Sequence, residues 1–519
     1  MSEPQEPAAT AGSTGEDIKP YQLHVSSKYL DLTSQKLELT RLPREVAEPA
    51  AQDWWAPKTT IEPLIDYWQE QYSWREKEDE LNASLQQFRT GIHIPSSDPS
   101  TSHPPFPFTN LSLAHVVGLF TDPDDAGTTQ PFHVVIPSLP GIGFSDALPN
   151  NTPLIATTAA LFDTLMKRLD YNHYVASNSG PSSRSPSEID WRLANYLSLN
   201  YTESCLGVHF ISPSITAPTF RDSPIEWAKW TIAVFLQAAV MDYTKEDLAA
   251  VKMNEARSRG TTGAVHTPWH FGPRNDGAYE PNTLAYALCD SPAGLLLFFL
   301  FVTRILGPQK EFTPEELITM AELTWLPGPE ATFRFLAYCA YHKEEQKRAA
   351  MAKPKVGITV FLDENGRTAS SSEGSDLPRP IPETYSCPAW AQRHYNVVSS
   401  NRVSGQSGLL AWERPEVIVD GVRSLVKEIL KSDKRMQEHE LPGTALLQVV
   451  VDGDQPAEAE ISGTTVHVPV RSSSDLPPKD AKDPAAQVDQ KTPSPAALTP
   501  DAVGGSGQES TPLSVPSQA

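Results

Sequence analysis

Apolar segments of two different periods alternate between residues 132 and 213, and this alternation restricts the fold more than any other feature of the sequence. The runs FHVVIP (132–137), HYVAS (173–177) and LGVHFISP (206–213) are short and continuously apolar, which is typical of buried strands. Between them, residues 153–171 and 188–201 have the apolar spacing of helices. Strands that alternate with helices predict a parallel sheet with helices on both faces.

The alternation stops near residue 218, where a long helical region begins. Nearly every segment from 218 to 345 has helical spacing. The most apolar of them, AGLLLFFLFV (293–302), is shorter than the ~20 residues of a membrane helix and predicts a buried core helix. Strand-like runs return at KVGITVFL (355–362) and HYNVVSS (394–400), and a last helix is predicted over 415–431. This pattern predicts the α/β class, with the plan of an α/β-hydrolase whose sheet carries an inserted helical cap.

The composition divides the chain into a folded body and two polar ends. Residues 1–20 and 432–519 are expected to be disordered, because they contain too few apolar residues to bury a core. Within the second end, ALLQVVV (445–451) is a short apolar stretch that could pair or dock locally. The body is divided into an N-terminal domain, 21–92, a first part of the core, 93–217, the cap, 218–345, and a second part of the core, 346–431.

The charge and the cysteines limit the partners and the compartment. The net charge of −22 disfavours nucleic acid and anionic membranes, because their phosphates would be repelled. The N-terminus lacks the basic and apolar regions of a signal peptide, so a cytoplasmic protein without a transmembrane segment is expected. The cysteines lack metal-ligand spacing and are expected to be buried, reduced thiols; they are Cys205, Cys289, Cys339 and Cys387.

Several separate stretches, in order along residues 21–431, carry a family resemblance. PFHVVIPSLPGIGFSD (131–146) resembles the strand-and-turn signature of epoxide hydrolases, and LPREVAEPAAQDWWAP (42–57) resembles part of their N-terminal meander domain. ESCLGVHFISP (203–213) and AWERPEVIVDGVRSLV (411–426) look like later landmarks of the same family, as does EPNTLAYALCDSPAGLL between them. The resemblance implies an α/β-hydrolase fold with a helical cap and an N-terminal meander domain.

The resemblance also implies a chemistry that uses side chains and water, with no metal and no organic cofactor. In this family an Asp on the turn after a central strand attacks an epoxide carbon, and two cap tyrosines hydrogen-bond the epoxide oxygen. A His, oriented by an acid, activates the water that hydrolyses the resulting ester. Backbone N–H groups of a His-Gly-x-Pro turn stabilise the oxyanion. The implied substrate is a small apolar epoxide.

The nucleophile position falls within YVASNSGPSSRSPSEIDW (174–191), where the family has Gly-Gly-Asp-Trp-Gly. Alignment forward from the strand puts Gly180 at the Asp position, whereas alignment backward from the helix puts Glu188 there. Glu188 and Asp190 are therefore the candidate displaced nucleophiles. The alternative is that both are first-turn acids of a helix, which the helix dipole favours, and that Ser179 is a loop residue. The extra residues 178–187 are either a genuine loop or an error in the gene prediction.

The positions of the family's acid and base are both changed. NRVSGQSGLLAWERP (401–415) aligns without gaps to the family pattern, with Arg402 at the acid position and Gly408 at the His position. Glycine cannot accept a proton, so this route to ester hydrolysis is not available. The oxyanion turn is also missing, since no His-Gly pair occurs near residues 105–115, and His115 is predicted to be a helix residue outside the site.

Three tyrosines lie near the positions of the family's substrate-binding tyrosines: Tyr279 near one, and Tyr338 and Tyr341 near the other. The alternative is that they are packed residues of amphipathic cap helices. Two functions stay open. The first is an epoxide-hydrolase-like enzyme that is impaired or inactive towards apolar epoxides. The second is a non-catalytic pseudoenzyme that binds a small apolar molecule or a protein partner. The sequence does not indicate the oligomeric state.

Overall fold

The structure is a computed structural model, and it describes most of the predicted body of the chain. The described residues are 18–44, 58–92, 108–123, 131–149, 152–181, 188–260, 281–306, 310–342, 353–362, 385–436 and 465–467. The two predicted polar ends lie almost entirely outside these ranges, and so does Tyr279.

The strands form two separate sheets. They are β1 (Lys19–Tyr21), β2 (Gln87–Arg89), β3 (Tyr174–Ser177), β4 (Cys205–Ile211), β5 (Lys355–Leu362), β6 (Asn396–Ser404) and β7 (Thr465–His467). The main sheet has the order β3-β4-β5-β6, and each strand pairs in parallel with its neighbour. A small second sheet has the order β1-β2-β7. The continuously apolar sequence of β4 follows from its position, because every one of its residues is buried.

Four of the five predicted strands are confirmed, and FHVVIP (132–137) is not. HYVAS, LGVHFISP, KVGITVFL and HYNVVSS correspond to β3, β4, β5 and β6. In FHVVIP only Val135 makes a strand-like bridge, and the run forms no ladder with β3. Apolar composition alone does not make a strand, since a strand also needs a neighbour within hydrogen-bonding distance.

The helices surround the sheet and form the cap. They are α1 (Ser27–Glu38), α2 (Lys58–Glu70), α3 (Trp74–Ser84), α4 (Ala114–Thr121), α5 (Leu154–Arg168), α6 (Ile189–Asn200), α7 (Pro224–Leu236), α8 (Lys245–Gly260), α9 (Pro281–Asp290), α10 (Pro292–Leu306), α11 (Pro314–Trp325), α12 (Glu330–Tyr341), α13 (Leu410–Glu413) and α14 (Pro415–Ser432).

Helices cover both faces of the main sheet, as predicted. His209 of β4 faces α14, because a Cβ added to Gly421 of that helix would lie 2.1 Å from His209 Nε2. The adjacent residues Val208 and Phe210 point to the opposite face, where they share a hydrophobic cluster with residues of α6. The absence of a side chain at Gly421 is therefore what lets α14 approach the sheet closely.

Helices α7 to α12 lie between β4 and β5 in the chain, which confirms the predicted insertion. AGLLLFFLFV lies within α10, and Leu295, Leu296 and Val302 are fully buried there, so the prediction of a core helix is correct. Within the described residues no single helix is long and apolar enough to cross a membrane. Only the sharply bent pair Thr283–Asp290 and Pro292–Thr303 meets that test, by length and composition alone.

The N-terminal domain packs on the cap through α2. This helix buries Ile61, Ile65 and Trp68 on one face, and α3 follows it after a short turn. Trp68 Nε1 donates a hydrogen bond to Glu322 Oε1 of α11 over 2.9 Å. The N-terminal domain and the cap are therefore joined by both apolar and polar contacts.

The prediction for the cysteines is correct at three of the four positions. Cys205, Cys339 and Cys387 are buried, and Cys289 is exposed. Cys289 lies on α9, and its Sγ donates to the carboxylate of Glu330 at 3.4 Å. Its position on the outer side of that helix explains why the prediction of a buried thiol was wrong there.

Candidate active site

The carboxyl ends of the four parallel strands define one edge of the main sheet, where an α/β enzyme places its functional loops. Asn178, the first residue after β3, is fully buried at this edge. Its Oδ1 accepts the N–H of Ile211 at 2.9 Å, and its Nδ2 donates to the carbonyl of Gly180 at 2.6 Å. The chain that leaves β3 is therefore fixed to the end of β4.

The two candidate nucleophiles lie at the start of α6. Glu188 precedes the helix with a left-handed φ of 55°, which a residue other than glycine rarely adopts. Asp190 is 1% exposed and lies in the first turn, where the helix dipole stabilises an anion. The Oγ of Ser179 is buried and has no hydrogen-bond partner among the described residues. Residues 182–187, which connect Ser179 to Glu188, lie outside the described residues.

Arg402, at the family's acid position, forms a buried ion pair with the cap. Its Nε and Nη2 donate to Oδ1 and Oδ2 of Asp247 at 2.7 and 2.8 Å, a bidentate arrangement. Asp247 lies in the first turn of α8 and is fully buried. Its carboxylate also accepts the hydroxyl of Tyr385 and the N–H of Thr244. Arg402 therefore links β6 to α8 through a bidentate ion pair.

The protonation states in this cluster agree with its geometry. Burial alone would raise the pKa of Asp247, but the hydrogen bonds from Arg402 and Tyr385 outweigh it and hold that pKa below its usual value. Burial raises the pKa of Tyr385 and of Cys387, and the negative charge of Asp247 raises both further. The cluster thus contains one carboxylate and one guanidinium, with neutral hydroxyl and thiol groups beside them.

Gly408, at the family's base position, lies between β6 and α13 with a φ of 60°. A Cβ built on this glycine would lie 1.9 Å from Oε2 of Glu413 and 2.6 Å from its Cδ. The carboxylate of Glu413 therefore occupies the space in which a side chain at position 408 would begin. A histidine does not fit there unless Glu413 or the backbone moves.

Two histidines that pack around the main sheet, His115 and His209, contact other groups. His115 lies in α4, as predicted, with Nε2 2.6 Å from the carbonyl oxygen of Ala411. His209 is fully buried in β4, and burial lowers its pKa to about 3. Its Nδ1 lies 2.9 Å from Ser177 Oγ and its Nε2 2.8 Å from Thr359 Oγ1, so it links β3, β4 and β5 on the side covered by α14.

The tyrosine positions are only partly described. Tyr338 lies in α12, packs against the large hydrophobic cluster of the cap, and has its ring 4.3 Å from that of His342. Tyr341 is the last residue of α12, and Tyr279 lies outside the described residues. The role of these tyrosines as substrate ligands stays a prediction.

Aromatic side chains fill the junction between the cap and the loop that holds Gly408. The ring of Trp412, in α13, lies 4.6 Å from that of Phe108 and 6.2 Å from that of Phe312. Phe108 in turn lies 6.2 Å from Phe299 of α10, and both are 1% exposed. The apolar region beside the base position is therefore packed with the protein's own side chains.

Sequence reasoning missed three residues of this region: Asp247, Tyr385 and Glu413. The spacing of Thr244 and Asp247 is a signal for the start of a helix. The structure agrees, because the side chain of each residue accepts the backbone N–H of the other. No local signal pairs Asp247 with Arg402, because the two are 155 residues apart in the chain.

Comparisons with known proteins agree with this architecture. Residues 18–106 match the family described as epoxide hydrolase N terminus. Epoxide hydrolase 1 of Sus scrofa is 23% identical over an alignment of 452 residues, which covers 80% of this chain and 90% of that protein. Juvenile hormone epoxide hydrolase from the silkworm Bombyx mori has a solved structure with a TM-score of 0.57 and 19% identity, covering 80% of this chain and 95% of that one. The epoxide hydrolase of Aspergillus niger has a TM-score of 0.55 and 19% identity, covering 80% and 97%.

The parallel sheet, the cap inserted between β4 and β5 and the structural likenesses define an α/β-hydrolase. Together with the match of its N-terminal residues and the similarity along most of its length, this places the chain in the epoxide hydrolase family.

Proposed function

We propose that this protein is a non-catalytic member of the epoxide hydrolase family, with the scaffold retained and the hydrolytic route lost. The observation that carries the proposal is the position of Glu413. Its carboxylate occupies the space that the Cβ atom of any side chain at position 408 would need. Hydrolysis of an alkyl-enzyme ester needs a group that removes a proton from water, and glycine has none.

The contacts of Arg402 support the same proposal. An acid at this position would orient a histidine, whereas Arg402 is held by two hydrogen bonds to a fully buried carboxylate of the cap. A guanidinium fixed in this way raises the free energy of an imidazolium placed beside it, because the two positive charges repel each other. The remaining function we propose is the binding of a small apolar molecule, the ligand class that the family resemblance implies. The cytoplasmic location stays a prediction.

One observation favours residual hydrolysis as a second candidate. Asp190 is buried at the N-terminus of α6, and Glu413 supplies a carboxylate at the place of the missing base. Asp190 could then act as the nucleophile, and Glu413 could accept the proton from water. A carboxylate is a weaker base than an imidazole, so this route would be slow.

Hydrolysis of a panel of aryl and alkyl epoxides by the purified full chain separates the two candidates. We expect no turnover above the uncatalysed rate, in the wild type and in Glu188→Ala, Asp190→Ala and Glu413→Ala alike. Glu416→Ala, which removes an exposed acid from the first turn of α14, is the matched control. Turnover that is lost in Asp190→Ala or Glu413→Ala but kept in Glu416→Ala would establish the second candidate and overturn the first.

Ligand binding is measured separately from turnover. A ligand that binds the folded state raises the midpoint of thermal unfolding, whether or not it reacts. We expect some members of the same epoxide panel to raise the unfolding temperature of the wild type. The absence of any shift at saturating concentrations would contradict the proposed binding of a small apolar molecule.

A further inference from the structure

Helix α7 turns an apolar face towards solvent, which is the reverse of the usual arrangement on a globular protein. A surface helix normally buries its apolar side and exposes its polar side. In α7, however, Phe235 is 86% exposed and Ile225 is 70% exposed, whereas the side chain of Glu226 is only 13% exposed. We call the exposed apolar side chains of this region the α7 face; they are Phe220, Ile225, Trp227, Ile232, Val234, Phe235, Leu236 and Met241.

The inner side of α7 holds the helix in this orientation. Ala233 is fully buried, and the ring of Trp230 lies 5.2 Å from that of Trp390 and 5.3 Å from that of Tyr243. Trp390 precedes β6 and Tyr243 precedes α8, so these contacts tie α7 to the core of the protein. The helix therefore cannot rotate its apolar face inward without breaking this aromatic cluster.

The polar side chains of α7 form their hydrogen bonds within the helix itself. Lys229 Nζ donates to Glu226 Oε1 over 3.0 Å. The hydroxyl of Thr231 donates to the carbonyl four residues earlier at 2.8 Å, and Nε2 of Gln237 donates to the carbonyl three residues earlier at 2.6 Å. A protein–protein interface carries roughly one hydrogen bond per 100–200 Å² between its partners. Polar groups that already bond within the helix favour contact with an apolar phase over contact with a protein partner.

The charges around the α7 face indicate which apolar phase it fits. Arg221 and Asp222 lie exposed just before the helix, and Asp242, Lys245 and Glu246 lie exposed after it. Both signs occur at each end, without the excess of cations by which proteins attract anionic lipids. The net charge of the chain, −22, also repels an anionic surface. The surroundings of the face therefore suit lipid headgroups that carry no net charge.

We propose that the α7 face docks the protein on a lipid membrane whose headgroups are zwitterionic. The helix lies in the plane of the interface, and Ile225, Phe235 and Leu236 insert their side chains below the headgroups. Trp227, whose ring lies 5.2 Å from that of Phe220, lies at the level of the headgroups, where tryptophan is enriched. The proposal does not depend on whether the protein hydrolyses epoxides.

Co-flotation of the full chain with phosphatidylcholine vesicles tests the proposal. Phe235→Gln with Leu236→Gln removes two apolar side chains from the α7 face. Leu39→Gln with Tyr286→Gln is the matched control, because it removes two side chains that are 80% and 81% exposed and lie outside the α7 face. We expect the wild type to float with the vesicles, and its affinity to fall at least about tenfold in the first variant and to stay unchanged in the control. A wild type that does not float, or equal losses in the two double variants, would overturn the proposal.

A second experiment locates the contact on the protein. Phosphatidylcholine that is brominated on its acyl chains quenches tryptophan fluorescence at short range. Trp227→Phe keeps the face apolar, so this variant should still bind the vesicles but should lose most of the quenching seen in the wild type. Quenching that is undiminished in Trp227→Phe would overturn the proposal, because a different surface would then contact the membrane.

Two further measurements distinguish other occupants of the α7 face. Phosphatidylserine added to the vesicles should not tighten binding; binding that rises with its content and falls with added salt would overturn the choice of a zwitterionic membrane. Sedimentation without lipid should give the same molecular mass for the wild type and for Phe235→Gln with Leu236→Gln. A wild type that forms dimers which this variant loses would overturn the proposal, because a second copy of the chain would then cover the face.

Discussion

At the residue scale, Gly408 is constrained in two independent ways. Its φ of 60° lies in the left-handed region, which costs other residues about 1–2 kcal/mol. The carboxylate of Glu413 also fills the space where a Cβ would lie. Restoring a histidine here by a single substitution therefore conflicts both with the backbone and with a neighbouring side chain.

We expect Gly408→Ala to lower the free energy of unfolding by about 1–2 kcal/mol for backbone strain, plus a smaller cost for displacing the flexible carboxylate end of Glu413. Gly405→Ala is the matched control, because Gly405 also has a left-handed φ, 91°, but a Cβ there would meet only Arg414 Nη1, at 3.8 Å. Its cost is expected to be the strain alone, about 1–2 kcal/mol. Urea unfolding measures the loss of stability in both alanine variants. Adding Glu413→Ala should bring the loss caused by Gly408→Ala towards that caused by Gly405→Ala. Equal costs for the two alanine variants would contradict this account.

The sequence singles out Arg402 and Gly408, but it does not indicate which side chains contact them. Arg402 and Gly408 lie in a stretch that resembles the family pattern without gaps, so the sequence alone singles them out, and the predicted loss of acid and base stays a prediction. The contacts with Asp247 and Glu413 depend on where α8 and the end of α13 lie in space. Such contacts arise from tertiary packing, which a local pattern does not specify.

At the scale of elements, the contact between α2 and α11 contains a buried acid. Glu322 is 2% exposed, and while its Oε1 accepts the N–H of Trp68, its Oε2 has no hydrogen-bond partner among the described residues. Burial raises the pKa of Glu322 to about 8, although the hydrogen bond from Trp68 opposes the rise. The carboxyl group is therefore protonated in the folded chain at neutral pH.

This raised pKa makes the stability of the protein depend on pH. In the unfolded chain Glu322 ionises above its ordinary pKa of 4.5, whereas in the folded chain it stays protonated up to about pH 8. Its contribution to stability is therefore fully present below pH 4.5 and is lost as the pH rises towards 8, by at most about 1.4 kcal/mol per pH unit.

We expect Glu322→Gln to flatten the stability profile between pH 4.5 and 8 and to make the protein more stable than wild type at the upper end. The amide is neutral at every pH and still accepts the hydrogen bond from Trp68. Glu315→Gln, an exposed position on the same helix, is the control and should leave the profile nearly parallel to that of the wild type. Denaturant midpoints measured at half-unit steps of pH provide the test. Parallel profiles for wild type and Glu322→Gln would contradict the prediction.

The order of strands and helices could be predicted where the local spacing of apolar residues determines the type of each element. The strands β3 to β5 and the apolar helix α10 follow from largely apolar runs of different length, whereas β6 is a strand-like run that is not buried. FHVVIP has the same local pattern and forms no strand ladder, because pairing depends on a neighbour that the pattern does not contain. Residues 59–84 form two helices because the chain turns between Glu70 and Trp74.

At the scale of the whole molecule, the pair of Arg402 and Asp247 joins the cap to the core. Arg402 belongs to β6, after the insertion, and Asp247 belongs to α8, within it. Asp247 is fully buried, and the side chain of Arg402 is 18% exposed. The two parts of the chain are thus connected by a bidentate ion pair.

We expect Arg402→Met to lower the free energy of unfolding by about 3–5 kcal/mol, because it leaves the carboxylate of Asp247 buried without its cation. In the folded chain the pKa of Asp247 lies below its ordinary value of 3.8. The ion pair therefore stabilises the protein fully above pH 3.8, and this stabilisation is lost as the pH falls through the pKa that Asp247 has in the folded chain. In Arg402→Met that pKa should rise, and the difference from wild type should shrink at acidic pH. Urea unfolding at neutral and acidic pH measures both effects.

Two further variants distinguish a specific link between cap and core from general damage. Arg402→Met with Asp247→Asn removes the uncompensated charge, and most of the lost stability should return. Lys431→Met, which breaks the exposed pair with Glu428, should cost less than about 1 kcal/mol. Native-state hydrogen exchange shows where in the structure the effect occurs. In Arg402→Met the amides of α8 should lose protection before those of β5, because the cap then opens while the sheet stays closed. Loss of protection by equal factors in both elements would mean that the ion pair stabilises the whole fold and does not couple the cap to the core.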